Sequence, residues 1–201
     1  RGYSSIGAIH FMKDQIPDAI AAFQKSLSIR PNYNAASNLG TLYYYEGNFR
    51  RSAELYRQAV SIDQSSYQVW SNLASALSLA GAADEAKAAH RHARDLVRER
   101  ADVNPRDASL RIALADSEAA LGDMDAARAD LDRALALSPT DAHTLFVIAV
   151  FYEQRLHQRD AALTWLSRAI ARGQTWREID HLPALADLRM DPRFKTLKST
   201  A

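Results

Sequence analysis

Apolar and polar residues follow one another along most of this chain with the spacing of paired amphipathic helices. The stretch from Asn34 to Gln64 shows the pattern best, with two helical segments separated by a glycine turn. Earlier in the chain, Ile20, Phe23 and Leu27 recur at intervals of three and four residues and therefore lie on one helical face. The pattern predicts an all-α chain built from helix–turn–helix repeats.

The repeats are found from a small anchor residue that an aliphatic residue precedes. Successive anchors are 33, 34, 41 and 34 residues apart, at Gly7, Gly40, Ala74, Ala115 and Ala149. A turn glycine follows three of them, at Gly47, Gly81 and Gly122. A small residue and then a large one follow at fixed distances: Ala19, Ser52, Ala86, Ala127 and Ala161, and Phe23, Tyr56, His90, Leu131 and Trp165. Self-similarity at this period predicts a helical solenoid.

The anchor glycines predict a close crossing of two helices. A glycine inside a helix costs about 1 kcal/mol relative to alanine. Gly7 and Gly40 therefore need a compensating gain, which we expect from a neighbouring helix that approaches too closely for a larger side chain. Leucine at Gly40 should cost roughly 1–3 kcal/mol by overpacking.

Several recurring residues together resemble the tetratricopeptide repeat family, over about residues 1–172. They are the run Trp70-x-x-Leu73-Ala74, the small residues Ala86 and Ala127, the aromatic Tyr56, and the prolines Pro31 and Pro139. The resemblance implies antiparallel helix pairs in a right-handed superhelix with a concave, protein-binding groove. We therefore expect an α-solenoid of about five repeats followed by C-terminal capping helices.

The third repeat predicts a boundary in the chain. Its second helix runs about seven residues beyond the family length before Pro105, which is about two helical turns. In the fourth repeat, Arg111 and Glu118 stand at positions that should be apolar. These two side chains are expected to pair with the charged extension; the alternative is a hinge. The expected segments are 1–100 (repeats one to three), 105–172 (repeats four and five) and 173–201 (a cap).

The C-terminal segment is too apolar for a free tail. We expect one or two short helices after a helix-ending Gly173, covering the last repeat with Trp176, Leu182, Leu185, Leu188, Phe194 and Leu197. The string LADLRMDPRF is similar to the closing segment of many bacterial tetratricopeptide proteins, some of them fused to Ser/Thr kinases. The chain begins inside a repeat and is interpreted as a fragment of a longer protein.

Composition narrows the classes of partner. The net charge is +1, so no basic field is present to hold nucleic acid. The chain has no cysteine, which excludes disulfides and thiolate metal sites. No apolar run is long enough for membrane insertion. The compartment is not fixed by any of this, and the cytoplasm is the default expectation.

Catalytic and metal-binding patterns are weak. His90 and His92 are two residues apart, which places them on different faces of a helix. Asp123 and Asp125 flank Met124 at a helix start, where N-terminal capping accounts for them better than a metal. No phosphate loop and no nucleophile motif is present. We predict that the chain is not an enzyme and has no cofactor.

The resemblance places the first helix of each pair on the concave face and so implies candidate groove residues. They are Phe11, Met12, Asn38, Thr41, Tyr44, Tyr45, Asn72 and Ser75. Asn38 and Asn72 occupy one place in consecutive repeats, and a carboxamide both donates to and accepts from a peptide backbone. The alternative is that both amides bond only neighbouring groups or water.

The fifth repeat would show an apolar strip on the same surface, formed by Phe146, Val147 and Val150. Either it is an interaction site, or the C-terminal segment or a neighbouring chain covers it.

Three functions follow from these observations. The first is a protein-interaction module that binds a peptide or partner segment in the groove, as a monomer or a weak homo-oligomer. The second is a regulatory or scaffold region of a larger bacterial signalling protein. The third is a self-assembling array that uses the Phe146 strip.

Overall fold

The computed structural model describes residues 2–200. This part of the chain contains thirteen α-helices, one short 3₁₀ turn and no strand. The ends of two expected segments, Arg1 and Ala201, lie outside the described residues. The first ten helices follow one another as five pairs: α1 (Gly2–Met12) and α2 (Ile16–Ile29), α3 (Tyr33–Tyr45) and α4 (Phe49–Ile62), α5 (Tyr67–Leu79) and α6 (Ala83–Val103), α7 (Ala108–Leu121) and α8 (Met124–Leu137), α9 (Ala142–Gln154) and α10 (Arg159–Ala171). The prediction of five all-α repeats is confirmed.

The chain divides into two compact units inside α6. The first unit ends at Leu96 and the second begins at Val97. Helix α6 is 21 residues long, against 14 for α4, which is the extension expected before Pro105. The sequence-based boundaries, at residues 100–105 and between 172 and 173, stay a prediction.

The core of the first unit consists of helix pairs and the contacts between successive pairs. Helix α2 packs on α3 and α4 packs on α5, while the first helices also contact one another in the order α1, α3, α5. One apolar cluster surrounds Phe23, Leu39 and Leu42, and a second surrounds Tyr56, Leu73 and Leu77. Each repeat thus buries its apolar face against its neighbours, as expected for a solenoid.

The anchor glycines lie against aromatic rings. A Cβ atom added at Gly7 would lie 2.7 Å from ring carbons of Phe23, and one added at Gly40 would lie 3.1 Å from the ring of Tyr56. The predicted close crossing is confirmed. The turn glycines act differently, since Gly47 and Gly81 have φ values of 77° and 84°, in the left-handed region that side chains with a Cβ avoid.

Polar side chains cap most of the paired helices. The side-chain oxygens of six residues accept a hydrogen bond from a backbone N–H in the first turn: Asn32, Asn48, Ser66, Asp107, Asp123 and Asp141. Asp123 therefore caps α8 by accepting from the Ala126 N–H at 3.2 Å, as predicted.

The fifth repeat corrects the predicted register of its second helix. The fully buried residues of α10 are Ala162, Leu166 and Ala169, whereas Ala161 and Trp165, which the repeat spacing selected, are partly exposed. The turn before α10 contains one extra residue and includes His157 with a φ of 53°. This insertion shifts every later core position by one residue.

The C-terminal segment packs on the last helix pair. It forms α11 (Trp176–His181), a 3₁₀ turn (Pro183–Leu185), α12 (Ala186–Arg189) and α13 (Pro192–Thr200). Ile179, Leu185 and Leu188 are completely buried in one cluster with residues of α9 and α10. The predicted cap is confirmed, although it has three short helices rather than one or two. Gly173 has a φ of 100° and ends α10 as expected.

Candidate functional site

The candidate groove residues all lie on the first helices of the first compact unit. Because α1 contacts α3 and α3 contacts α5, these helices form one continuous layer. We call its eight candidate residues the first-helix wall: Phe11, Met12, Asn38, Thr41, Tyr44, Tyr45, Asn72 and Ser75. Each of the eight side chains is at least partly exposed to solvent.

Two carboxamides on this wall stand at the same place in consecutive repeats. Asn38 is half-buried on α3, and Asn72 is exposed on α5. Among the described residues, the structure records no hydrogen bond for either side-chain amide. Each keeps one acceptor oxygen and two donor hydrogens for an added ligand or for water.

An aromatic group occupies the C-terminal end of α3. The rings of Tyr44 and Tyr45 meet edge to face with 6.2 Å between centroids, and Tyr44 makes a similar contact with Phe49 at 5.6 Å. On α1, Met12 is 79% exposed, whereas Phe11 is half-buried against the cluster around Phe23. The C-terminal ends of α1 and α3 thus carry large aromatic and apolar side chains.

Thr41 is committed to the interior of its repeat. Its hydroxyl lies 2.9 Å from the Tyr56 hydroxyl in a shared hydrogen bond, and it donates to the Ser37 carbonyl at 3.2 Å. Tyr56 is buried, and desolvation raises the pKa of its phenol well above the usual value, against the opposing effect of the Thr41 bond. This pair was not foreseen, because nothing in repeat spacing indicates a hydroxyl contact between two helices.

The C-terminal segment covers the apolar strip of the fifth repeat. Phe146 is only 2% exposed, in one cluster with Ile179, Leu185 and Phe194, and Val147 and Val150 pack against that cluster. Of the two alternatives left open by the sequence, covering by the C-terminal segment is the one seen. Phe146 is thereby removed from the surface, while Val147 and Val150 stay partly exposed, and self-assembly through this strip stays a prediction.

The two unexpected charges of α7 have different partners. Glu118 meets the extended helix as predicted, with its Oε1 3.5 Å from Nη2 of Arg98. For Arg111 the prediction is wrong, since its guanidinium lies 3.3 Å from Asp130 of α8 and donates to the Pro105 carbonyl. Both of these partners of Arg111 lie outside α6.

The carboxyl of Glu118 is buried, and its second oxygen has no partner among the described residues. Burial raises the pKa of Glu118, the nearby Asp130 charge adds to this, and Arg98 opposes it.

The histidines show no metal-binding arrangement. The imidazole of His92 stacks on Trp70 with 4.6 Å between ring centroids. Within residues 2–200, no three His, Cys, Asp or Glu side chains are grouped so that they could hold a metal ion. In the same range, no helix has both the length and the apolar character needed to cross a bilayer.

Two clefts that sequence reasoning missed lie at equivalent places in the repeats. One, of about 360 Å³, lies between α4, α5 and α6 beside the Trp70–His92 stack and the Arg57–Glu85 ion pair. The other, of about 260 Å³, lies between α8, α9 and α10 and is lined by Tyr152 and Trp165. Their only sequence signal is the recurrence of large residues where successive repeats meet.

A layer of antiparallel helix pairs with small residues at each crossing defines a helical-repeat protein. The family model described as tetratricopeptide repeat matches residues 37–89 and 87–142. These matches cover more than half of the chain, which therefore belongs to the tetratricopeptide repeat family. A search of curated protein sequences gives no match.

Solved structures of tetratricopeptide proteins share the fold. The thermophilic protein TTC0263 of Thermus thermophilus has a TM-score of 0.62 at 20% identity, with 92% of this chain and 97% of that chain covered. YrrB, described as having an unusual peptide-binding site, has a TM-score of 0.53 at 18% identity, covering 94% and 91% of the two chains. MamA has a TM-score of 0.51 at 22% identity, covering 83% and 94%. At these identities the likeness shows the fold alone.

Proposed function

We propose that the chain is a protein-interaction module that binds an extended peptide segment on the first-helix wall. Membership of the tetratricopeptide repeat family supports a protein or peptide partner. The neighbour YrrB is described as having a peptide-binding site, so this fold accommodates such ligands.

The observation that carries the proposal is the pair of carboxamides at Asn38 and Asn72. They are one repeat apart on adjacent first helices, and no hydrogen bond within the described part of the chain occupies them. An extended peptide has unpaired N–H and C=O groups along its length, and a carboxamide pairs with both kinds. Two such contacts bind the backbone of the ligand and do not depend on the identity of its side chains.

The tyrosines supply the apolar part of the contact. Tyr44 and Tyr45 are held edge to face, so little side-chain entropy is lost when a ligand packs on them. Thr41 lies on the same wall, but its hydroxyl is already hydrogen-bonded to the Tyr56 hydroxyl. Binding a flexible segment costs ordering entropy, and we expect dissociation constants in the micromolar range.

The test uses random peptides displayed on phage and selected on the immobilised chain. Enriched peptides are synthesised, and their dissociation constants are measured by fluorescence anisotropy. The double variant Asn38→Ala/Asn72→Ala should weaken binding by about tenfold, since each lost hydrogen bond is worth roughly 0.5–1.5 kcal/mol. Tyr44 and Tyr45 are left in place because Tyr44 also packs against the core.

The matched control is Gln58→Ala/Gln64→Ala. It removes two carboxamides from α4 and the loop after it, in the same unit but away from the first helices. Its dissociation constants should stay within about twofold of the parent, well below the tenfold loss that two hydrogen bonds give. Equal effects of the two double variants would exclude the wall as the binding surface, provided circular dichroism shows both folded.

A further inference from the structure

The first helices of the first compact unit carry no charged side chain. Helices α1, α3 and α5 have 11, 13 and 13 residues, and none of these is Asp, Glu, Lys or Arg. About one residue in four would be charged at the average of the chain, which is 24%. The second helices of the same repeats do carry charge, with Asp18 and Lys25 on α2 and four charged residues on α4. The absence is thus confined to one layer.

One histidine in this layer is turned towards the second helix of its own repeat. Nδ1 of His10 lies 2.8 Å from the Gln15 side chain and 4.0 Å from Asp18, at the start of α2. The exposed remainder of the layer consists of hydroxyl, amide and aromatic groups together with the apolar side chains of Ile6, Ile9, Met12 and Leu79. The polar groups of the layer act on a ligand through their dipoles. These groups can donate or accept hydrogen bonds, so they favour neither positive nor negative charge.

This composition discriminates between ligands by the cost of desolvation. A charged side chain pressed onto the wall would lose hydration and find no opposite charge on α1, α3 or α5, which is unfavourable. A hydroxyl, an amide or a peptide group loses less on leaving water and regains a hydrogen bond from Asn38 or Asn72. At the Tyr44–Tyr45 end, an apolar or aromatic side chain packs against ring faces and edges.

We propose that the segment bound on the first-helix wall is an uncharged polypeptide. It is rich in small polar residues where it crosses the carboxamides and has an apolar or aromatic residue at the tyrosines. This inference rests on the proposed function and specifies its partner by chemistry. Association is accordingly insensitive to salt, because no ion pair contributes.

The selection that tests the proposed function also tests its ligand chemistry. Peptides enriched on the wild-type chain should be about tenfold depleted of Asp, Glu, Lys and Arg at the positions that contact the wall. Their dissociation constants should change by less than about twofold between about 0.1 M and 1 M salt.

Charge placed on the wall should change the selection. Asn72→Asp keeps the size of the side chain and adds a negative charge, so it should favour peptides that carry Lys or Arg. The same variant should bind the original uncharged peptides about tenfold more weakly. Gln58→Glu adds an equal charge on α4 and should leave both measurements within about twofold of the parent, because the charge is added away from the wall.

Two results overturn the inference, and they are distinguishable. Peptides that lose binding in Asn38→Ala/Asn72→Ala yet share an acidic or basic residue, and weaken steeply with salt, contradict an uncharged ligand while leaving the proposed surface intact. Peptides whose dissociation constants are unchanged in that double variant contradict the proposed surface itself, and the inference then fails as well.

Discussion

The same repeat positions have opposite character in the two compact units. Three residues before the anchor, the first unit has serine in every repeat: Ser4, Ser37 and Ser71. The second unit has Ile112 and Phe146 at this position, and both are buried. One residue later, the carboxamides of Asn38 and Asn72 correspond to Ala113 and Val147.

At Phe146, the difference is explained by what covers the surface. In the second unit, α9 contacts the 3₁₀ turn of the C-terminal segment, and Phe146 fills the space between them. The first unit keeps polar side chains there. A shared repeat frame thus serves two purposes: three residues before the anchor, the second unit has buried apolar side chains, and the first unit has serines, of which Ser37 and Ser71 are partly exposed. The repeat register therefore determines where an equivalent position lies, and the residue type determines whether that position is polar or part of an apolar core.

The anchors differ between the units in a related way. In the first two repeats of the first unit, glycine at the crossing faces an aromatic ring, in the pairs Gly7–Phe23 and Gly40–Tyr56, whereas the third repeat has Ala74. In the second unit, Ala115 shares a cluster with Leu131, and Ala149 shares one with Leu166. A flat ring brought against a helix backbone leaves no room for a methyl group, whereas a leucine does.

The largest expected effect concerns the covered strip. Phe146→Ser installs the residue that the first unit has at this position, and it should lower the free energy of unfolding by about 3–5 kcal/mol, because a buried ring is lost and a cavity remains. The measurement is urea unfolding followed by circular dichroism. Ser71→Ala is the matched control at the same repeat position and should stay within about 0.5 kcal/mol of the parent. A cost below about 1 kcal/mol for Phe146→Ser would mean that the C-terminal segment does not cover this strip.

A smaller effect is expected at the glycine crossing. Gly40→Leu should destabilise the chain by roughly 1–3 kcal/mol, since even a Cβ atom would meet the Tyr56 ring at 3.1 Å. The same substitution at Gly2, where a Cβ atom meets nothing within 4 Å, should be neutral or stabilising. Thermal and urea unfolding of both variants provide the measurement. Equal stability of the two would contradict the close crossing as the reason for glycine at this anchor.

The smallest effect is a pH dependence in the second unit. The pKa of Glu118 is raised in the folded chain, so the native state holds this proton more tightly than the unfolded state does. The resulting stability is fully present below the unfolded value, near 4.5, and is lost as the pH rises through the raised folded value. Glu118→Gln cannot titrate, and its stability relative to the parent should therefore rise over this window. The change is limited because the positive charge of Arg98 opposes the raised pKa of Glu118.

Urea unfolding of both chains at a series of pH values from acid to neutral checks this prediction. Taking the difference between the two chains removes the contribution of the other carboxylates, including Asp191, whose pKa is lowered to about 2 by hydrogen bonds from Arg193. A difference in stability that stays constant with pH would show that the pKa of Glu118 is not raised.

Much of the fold was predictable because helix pairing leaves a local signature. Small anchors, turn glycines and capping residues each obey a rule that operates within a few residues, and these rules placed all five pairs and the long α6. The repeat spacing selected Ala161 and Trp165, although the one-residue insertion in the turn before α10 is visible in the sequence; this insertion moves Ala162 and Leu166 into the core instead.

The candidate surface was predictable only in part. Family position indicated which first-helix residues to consider, but not that the Thr41 hydroxyl is engaged by Tyr56. The partner of Arg111 was missed for the same reason, since Asp130 is 19 residues away along the chain. Contacts of this kind depend on distances between helices, which periodicity does not specify.

By itself, the sequence determined the all-helical repeat, its period, its close crossings and the polar character of the first three first helices, because each follows from side-chain size and periodicity along a single segment. Only the tertiary structure decided which equivalent surfaces remain open. Phe146 is apolar whether or not another segment covers it. Its burial depends on the packing of α11 to α13 on α9 and α10, an interaction between segments that no local pattern encodes.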